Sequence, residues 1–116
     1  MGKTVIAVVG SKSSGKTTTI ETLTKELTRR GYKIAAIKHI PEPNFTIDTE
    51  GKDTWRFAKS GANTIVSVAS NEIATIEKIN EESLPLKEIL KKCKNSDIVF
   101  IEGFRKLVSR KSNIQK

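Results

Sequence analysis

Cysteine is nearly missing from the chain. Cys93 stands alone, so no internal disulfide can form, and the packed thiol expected near a helix end suits a reducing compartment. Aromatic residues make up 5% of the 116 positions, and histidine occurs once, at His39. Few rings are therefore available for stacking on bases, and a single imidazole makes no metal site by itself. No apolar run approaches the roughly 20 residues that a membrane-spanning helix requires. The apolar start, TVIAVV, leads straight into glycine and lysine without a small-residue cleavage pattern. These absences predict a soluble, cytoplasmic protein. Internal repeats and low-complexity tracts are lacking as well, and the length suits one domain with a modest core.

Positive charge is present in excess, at +8, but it is unevenly spread. From Arg105 onward five basic residues occur without an acid, whereas residues 1–104 hold 16 basic and 13 acidic groups, a balance of +3. The chain therefore reads as a domain at 1–104 followed by a basic tail at 105–116, disordered or truncated. Most of the excess lies outside the body, so nucleic acid is a poor candidate partner, and a polyphosphate ligand explains the body at least as well.

The pattern of the body is α/β. TVIAVV (4–9) is a short β-branched run of the kind buried on both faces of a parallel sheet. Ile20, Leu23 and Leu27 then recur at helical spacing from Thr17 to Arg30, with Gly31 as the stop. YKIAAIK (32–38) is a second strand, giving the strand, helix, strand order of a crossover unit. The segment HIPEPNFTIDTEG (39–51) is a long loop of the kind that carries function. KDTWRFAKSGA predicts a short helix with Trp55 and either Phe57 or Ala58 facing the core. NTIVSVAS and EIATIEKI flank Asn71 as an antiparallel hairpin. LPLKEILKKC is an amphipathic helix with Pro85 near its first turn, and SDIVFIEG is a final strand that delivers Glu102 and Gly103 at its carboxyl end.

Chemistry enters between the first strand and first helix. Gly10, Gly15, Lys16 and Thr17 satisfy G-x-x-x-x-G-K-[ST], a phosphate-binding loop. The glycines allow a tight wrap, so that N–H groups from Ser13 and Ser14 through Thr18 converge on one concavity, with the helix amino terminus adding partial positive charge. Lys16 is placed to reach β- and γ-phosphates, and the Thr17 hydroxyl to ligate the magnesium that bridges them. A glycine-serine turn merely joining two elements is the plainer alternative, but a buried-type strand before it and an amphipathic helix after it are the context the mechanism needs. Lys12 stands one residue late for a second signature lysine and is read as solvated.

Carboxylates supply the rest. Glu102 ends a strand beside the loop, where it is suited to hold a magnesium-bound or attacking water, while Asp97 at the other end of that strand reads as a capping or surface residue. Asp48 and Asp53 follow the second strand, on the sheet edge where the phosphate loop emerges, and are candidates to serve magnesium or orient water. For Asp48 helix capping is the alternative, and for Asp53 a first-turn role. His39 reads as a polar loop contact. These residues leave ATP, GTP and reaction type open. A small-molecule kinase using ATP and a nucleic-acid-binding module acting through the tail both stand as alternatives. Only Arg56 is placed centrally enough to help build a kinase lid.

Taken together, GSKSSGKTT, IKH, FTIDTEGKDTWRFAKSGA and DIVFIEGF resemble the MobB family, the molybdopterin-guanine dinucleotide biosynthesis adaptor proteins, over residues 4 to about 104. The resemblance implies a three-layer P-loop NTPase fold, mostly parallel sheet with an antiparallel hairpin. It also implies GTP as ligand, magnesium, weak GTPase activity and a homodimer. The partner it implies is the guanylyltransferase that attaches GMP to molybdopterin, or the enzymes that receive the finished cofactor. By position, Gly10 through Thr18 would cradle the phosphates, Thr17 and Asp48 would serve magnesium, and Glu102 would be the acid of the second nucleotide motif. Lys38, His39, Lys52 and Asp53 match the motif K-H then F-x-I-D-x-x-G-K-D-[ST].

Overall fold

The computed structural model describes residues 3–9, 15–79 and 85–103. In chain order these form β1 (Thr4–Val8), α1 (Lys16–Arg29), β2 (Ile34–Lys38), α2 (Asp53–Lys59), β3 (Thr64–Val68), β4 (Ile73–Glu77), α3 (Leu86–Leu90) with a 3₁₀ turn at Lys91–Cys93, and β5 (Ile98–Glu102). Every expected helix and strand is present, with its ends shifted by a few residues. The chain falls into two compact units, Met1–Pro41 with Leu86–Lys116, and Glu42–Pro85.

The first unit is built on a parallel sheet in the order β1-β5-β2. Its central strand has apolar neighbours on both sides, which is why Val99, Phe100 and Ile101 are all buried to 1% exposure or less. Alternation sends Val99 and Ile101 to one face, where they pack with Leu86 and with the half-buried Val5, Ala35, Ile37, Ile89, Leu90 and Cys93. α3 and its 3₁₀ turn thus cover that face, and Cys93 is the free, packed thiol expected from its place in the sequence. Phe100 points to the opposite face, on which α1 lies against β2 and β5. Helix, sheet, helix is the result, and each fully buried aliphatic or aromatic side chain contributes roughly 1.5–3 kcal/mol to it.

At the amino edge of the sheet, Asp97 has a structural task. Its carboxylate accepts from the Lys33 amide at 2.7 Å and its own amide donates to the Lys33 carbonyl at 2.7 Å, fixing the entry to β2. Register then runs without slippage to the carboxyl edge, where Val8 and Lys38 both stand opposite Glu102.

The second unit joins α2 to the antiparallel pair β3–β4. Asp53 opens α2 in its first turn, the place where a carboxylate complements the helix dipole. Trp55 and Ala58, three residues apart, form the half-buried face of α2, whereas Phe57 is 57% exposed, so Ala58 takes the inward place. Ile65 is buried and its cross-strand partner Ile76 is half-buried. Val66, Val68 and Ile73 lie on the opposite side of the hairpin and remain 53, 74 and 68% exposed.

Candidate nucleotide-phosphate site

Gly15 sits at the head of α1 with φ of +88°, a conformation that a residue bearing Cβ rarely adopts. It turns the chain into the helix without a side-chain cap, and its carbonyl accepts the Thr19 amide at 2.9 Å. No acidic residue lies in the first turn. The helix itself thus places no carboxylate among its first amides, which suits a phosphate site. Lys16, half-buried, and Thr17 and Thr18, both exposed, follow as the first three residues of α1. Gly10, Ser13 and Ser14, with Lys12, lie outside the described residues.

Thr17 and Glu102 are 85 positions apart and in contact. The Thr17 hydroxyl donates to the Glu102 carboxylate, with Oγ1 at 3.1 Å from Oε1 and 3.2 Å from Oε2. This contact follows from the topology: β5 runs parallel to β1, so its carboxyl end arrives beside the start of α1, and Glu102 shares a face with Phe100, the face that α1 covers. Lys38 is exposed, stands opposite Glu102 in the register of β2, and shares that face.

The donor set fits magnesium. A hydroxyl and a carboxylate are hard oxygen ligands, and their spacing is close to the edge of an octahedron with metal–oxygen bonds of about 2.1 Å, namely about 3.0 Å. Among the described residues no group of three or more His, Cys, Asp or Glu side chains is placed to cage a metal.

His39 is placed just beyond β2 against the end of β5. Its amide donates to the Glu102 carbonyl at 2.8 Å, and its ring Nδ1 lies 3.3 Å from the Gly103 carbonyl oxygen. Gly103 has φ of +91°, and a Cβ there would stand 3.1 Å from the His39 carbonyl oxygen. In the sequence Gly103 reads only as the end of a strand. The signal for this close approach was the glycine itself, following an acid at a strand terminus.

Asp48 and Asp53 belong to the second unit, where with Lys52, Thr54 and Ser67 they line an open concavity of about 570 Å³. Asp48 is not the cap of α2, whose preceding residue is Lys52. Its amide donates to the Thr46 hydroxyl at 3.2 Å, and its Oδ1 accepts the Thr49 amide at 2.8 Å. The Thr54 side chain first, then the Thr49 amide and the positive charge of Lys52 and Lys78, hold the Asp48 carboxyl below its ordinary value of 3.8, against a smaller opposing effect of burial. Oδ2 is nevertheless out of contact with solvent, and no donor meets hydrogen-bond geometry to it. A shielded carboxylate oxygen without a donor is suited to a cation. Thr54, which sequence reasoning did not single out, is the hydroxyl position of the K-D-[ST] motif.

No helix among the described residues is long and apolar enough to cross a membrane. Residues 5–116 match the family described as MobB, molybdopterin guanine dinucleotide synthesis protein B. The molybdopterin-guanine dinucleotide biosynthesis adapter protein of Haemophilus influenzae is 31% identical over 103 residues, which are 87% of this chain and 57% of that one. A crystal structure of molybdopterin-guanine biosynthesis protein B superposes with a TM-score of 0.71 at 30% identity, covering 89% of this chain and 63% of its own. Bacillus subtilis MobB superposes with a TM-score of 0.68 at 27% identity, covering 87% and 61%. The chain spans about half the length of the curated relatives it matches, between 43 and 59%. Its α/β architecture, the meeting of Thr17 with Glu102 and these likenesses agree, and the chain belongs to the MobB family.

Proposed function

We propose that this chain is the nucleotide-binding part of an adapter in molybdopterin guanine dinucleotide biosynthesis, binding GTP with magnesium and hydrolysing it slowly. The observation that carries the reading is the contact of the Thr17 hydroxyl with the Glu102 carboxylate at the head of an uncapped helix. Lys16 and the amides through Thr18 hold the phosphates, Thr17 and Glu102 serve the metal, and Asp48 is a further metal candidate through its donorless Oδ2. Magnesium held there would supply charge neutralisation at the phosphates. Glu102 orients water, and Lys38, His39, Lys52 and Asp53 complete the motif set. The nucleotide-binding domain is residues 1–104, and the protein works in the cytoplasm.

The adapter role rests on what the Haemophilus influenzae relative is named for, and the guanylyltransferase of the same pathway is the partner proposed. A homodimer is supported by the hairpin. α2 packs on β3, and Val66, Val68 and Ile73 put an apolar face of the hairpin into solvent. A binding panel of GTP and ATP, with turnover measured on the same preparation, tests the reading. Preference for GTP with slow hydrolysis is expected. Equal or stronger binding of ATP, or efficient phosphate transfer to a small metabolite, overturns it in favour of a kinase.

A further inference from the structure

We propose that His39 is a positioning residue for Glu102, not a contact of the nucleotide; this rests on the reading above, in which Glu102 serves the magnesium of a bound nucleotide. The strand pairing of β2 with β5 ends with Lys38 opposite Glu102. His39 carries it one step further through its amide to the Glu102 carbonyl, at 2.8 Å. Its ring then adds a second tie, with Nδ1 at 3.3 Å from the Gly103 carbonyl. A carbonyl oxygen only accepts, so Nδ1 carries the proton. The third constraint is steric: a Cβ on Gly103 would be crowded at 3.1 Å against the His39 carbonyl, and its φ of +91° already favours glycine.

The sheet needs no help from the imidazole, because the backbone ladder of β2 with β5 is already complete through Glu102. What the ring adds is a hold on the Gly103 carbonyl, one peptide beyond the Glu102 carbonyl that the His39 amide already holds. Held at its own carbonyl by the His39 amide and at the next one by the ring, the strand end fixes the direction from which the Glu102 carboxylate meets Thr17. Oxygen ligands gain from being fixed before the metal arrives, and loss of such an outer partner typically lowers metal affinity about 10–100-fold. His39 acts on the site through a peptide, and its Nδ1 is committed to that task.

The test measures GTP affinity with and without magnesium in wild type, His39→Ala and His39→Asn, with thermal unfolding of each variant as the control for folding. Asparagine places a donor near the position of Nδ1. His39→Ala is expected to raise the magnesium concentration needed for tight GTP binding at least about tenfold, to leave magnesium-free GTP affinity unchanged, and to be rescued by His39→Asn. Equal loss with and without magnesium makes His39 a ligand contact and overturns the proposal, as does a His39→Ala variant that responds to magnesium like wild type. A wild type with no magnesium effect overturns the nucleotide reading instead, so the two failures are distinct. Should the variants not fold, nitrogen NMR of the neutral His39 ring in the intact protein decides. The Nδ1–H tautomer is expected, and Nε2–H overturns the proposal.

Discussion

Gly103→Ala isolates the close approach of the two strand ends. Alanine at φ of +91° carries the left-handed penalty of roughly 1–2 kcal/mol. Its methyl would also stand 3.1 Å from the His39 carbonyl oxygen and 3.4 Å from the His39 Cβ. That oxygen is backbone, in a residue whose amide is bonded to Glu102, so it cannot swing aside as a flexible side chain would. Forcing such a contact costs about 1–3 kcal/mol more. Gly31 supplies the control within the same unit: its φ is +96°, but a Cβ there meets nothing within 4 Å. Gly31→Ala carries the conformational penalty alone. In urea unfolding, Gly103→Ala is expected to lose stability beyond Gly31→Ala by about 1–3 kcal/mol, a further fall in midpoint of about 1 M at a slope of 1–3 kcal/mol/M. Coincident midpoints for the two variants would refute the contact, and with it the steric part of the argument for His39.

Glu102→Gln keeps size but removes the charge that meets Thr17, and is expected to slow GTP hydrolysis more than it weakens binding; unchanged turnover takes Glu102 out of the chemistry. Asp48 has a folded pKa below its ordinary 3.8, so its ionised form stabilises the fold above that value and the contribution is lost as pH falls through the folded pKa. The difference in urea midpoint between wild type and Asp48→Asn should be flat from neutral pH to about 5 and close below about 4. A difference that persists at the lowest pH assigns it to shape instead of charge. Val68→Asp, on the 74% exposed side of the hairpin, is expected to leave the fold intact and convert a dimer to monomer in sedimentation; an unchanged dimer places the interface elsewhere.

The elements were legible because local signals agree with tertiary need. The runs TVIAV and IVFIE are apolar without alternation, and they became β1 and β5, whose middle three residues are buried. Strand order was not legible, since nothing local says that the last strand inserts between the first two. The inward side of α2 was ambiguous for the same reason: Phe57 and Ala58 are both apolar, and packing chose the small residue beside Trp55. At the site, Lys16, Thr17 and Glu102 could be named from motif spacing. The tie between His39 and Gly103 could not, because a distance between strand ends depends on register. Asp48 was singled out, but its shielded oxygen depends on how the chain folds around Thr49 and Thr54.

Calorimetric titration of GTP into the protein, with and without magnesium, tests the central claim most directly when wild type and Lys16→Ala are compared. The account predicts magnesium-dependent binding to wild type, weaker binding of ATP, and no measurable GTP binding to Lys16→Ala. GTP binding that survives in Lys16→Ala, or that is indifferent to magnesium in wild type, would contradict it.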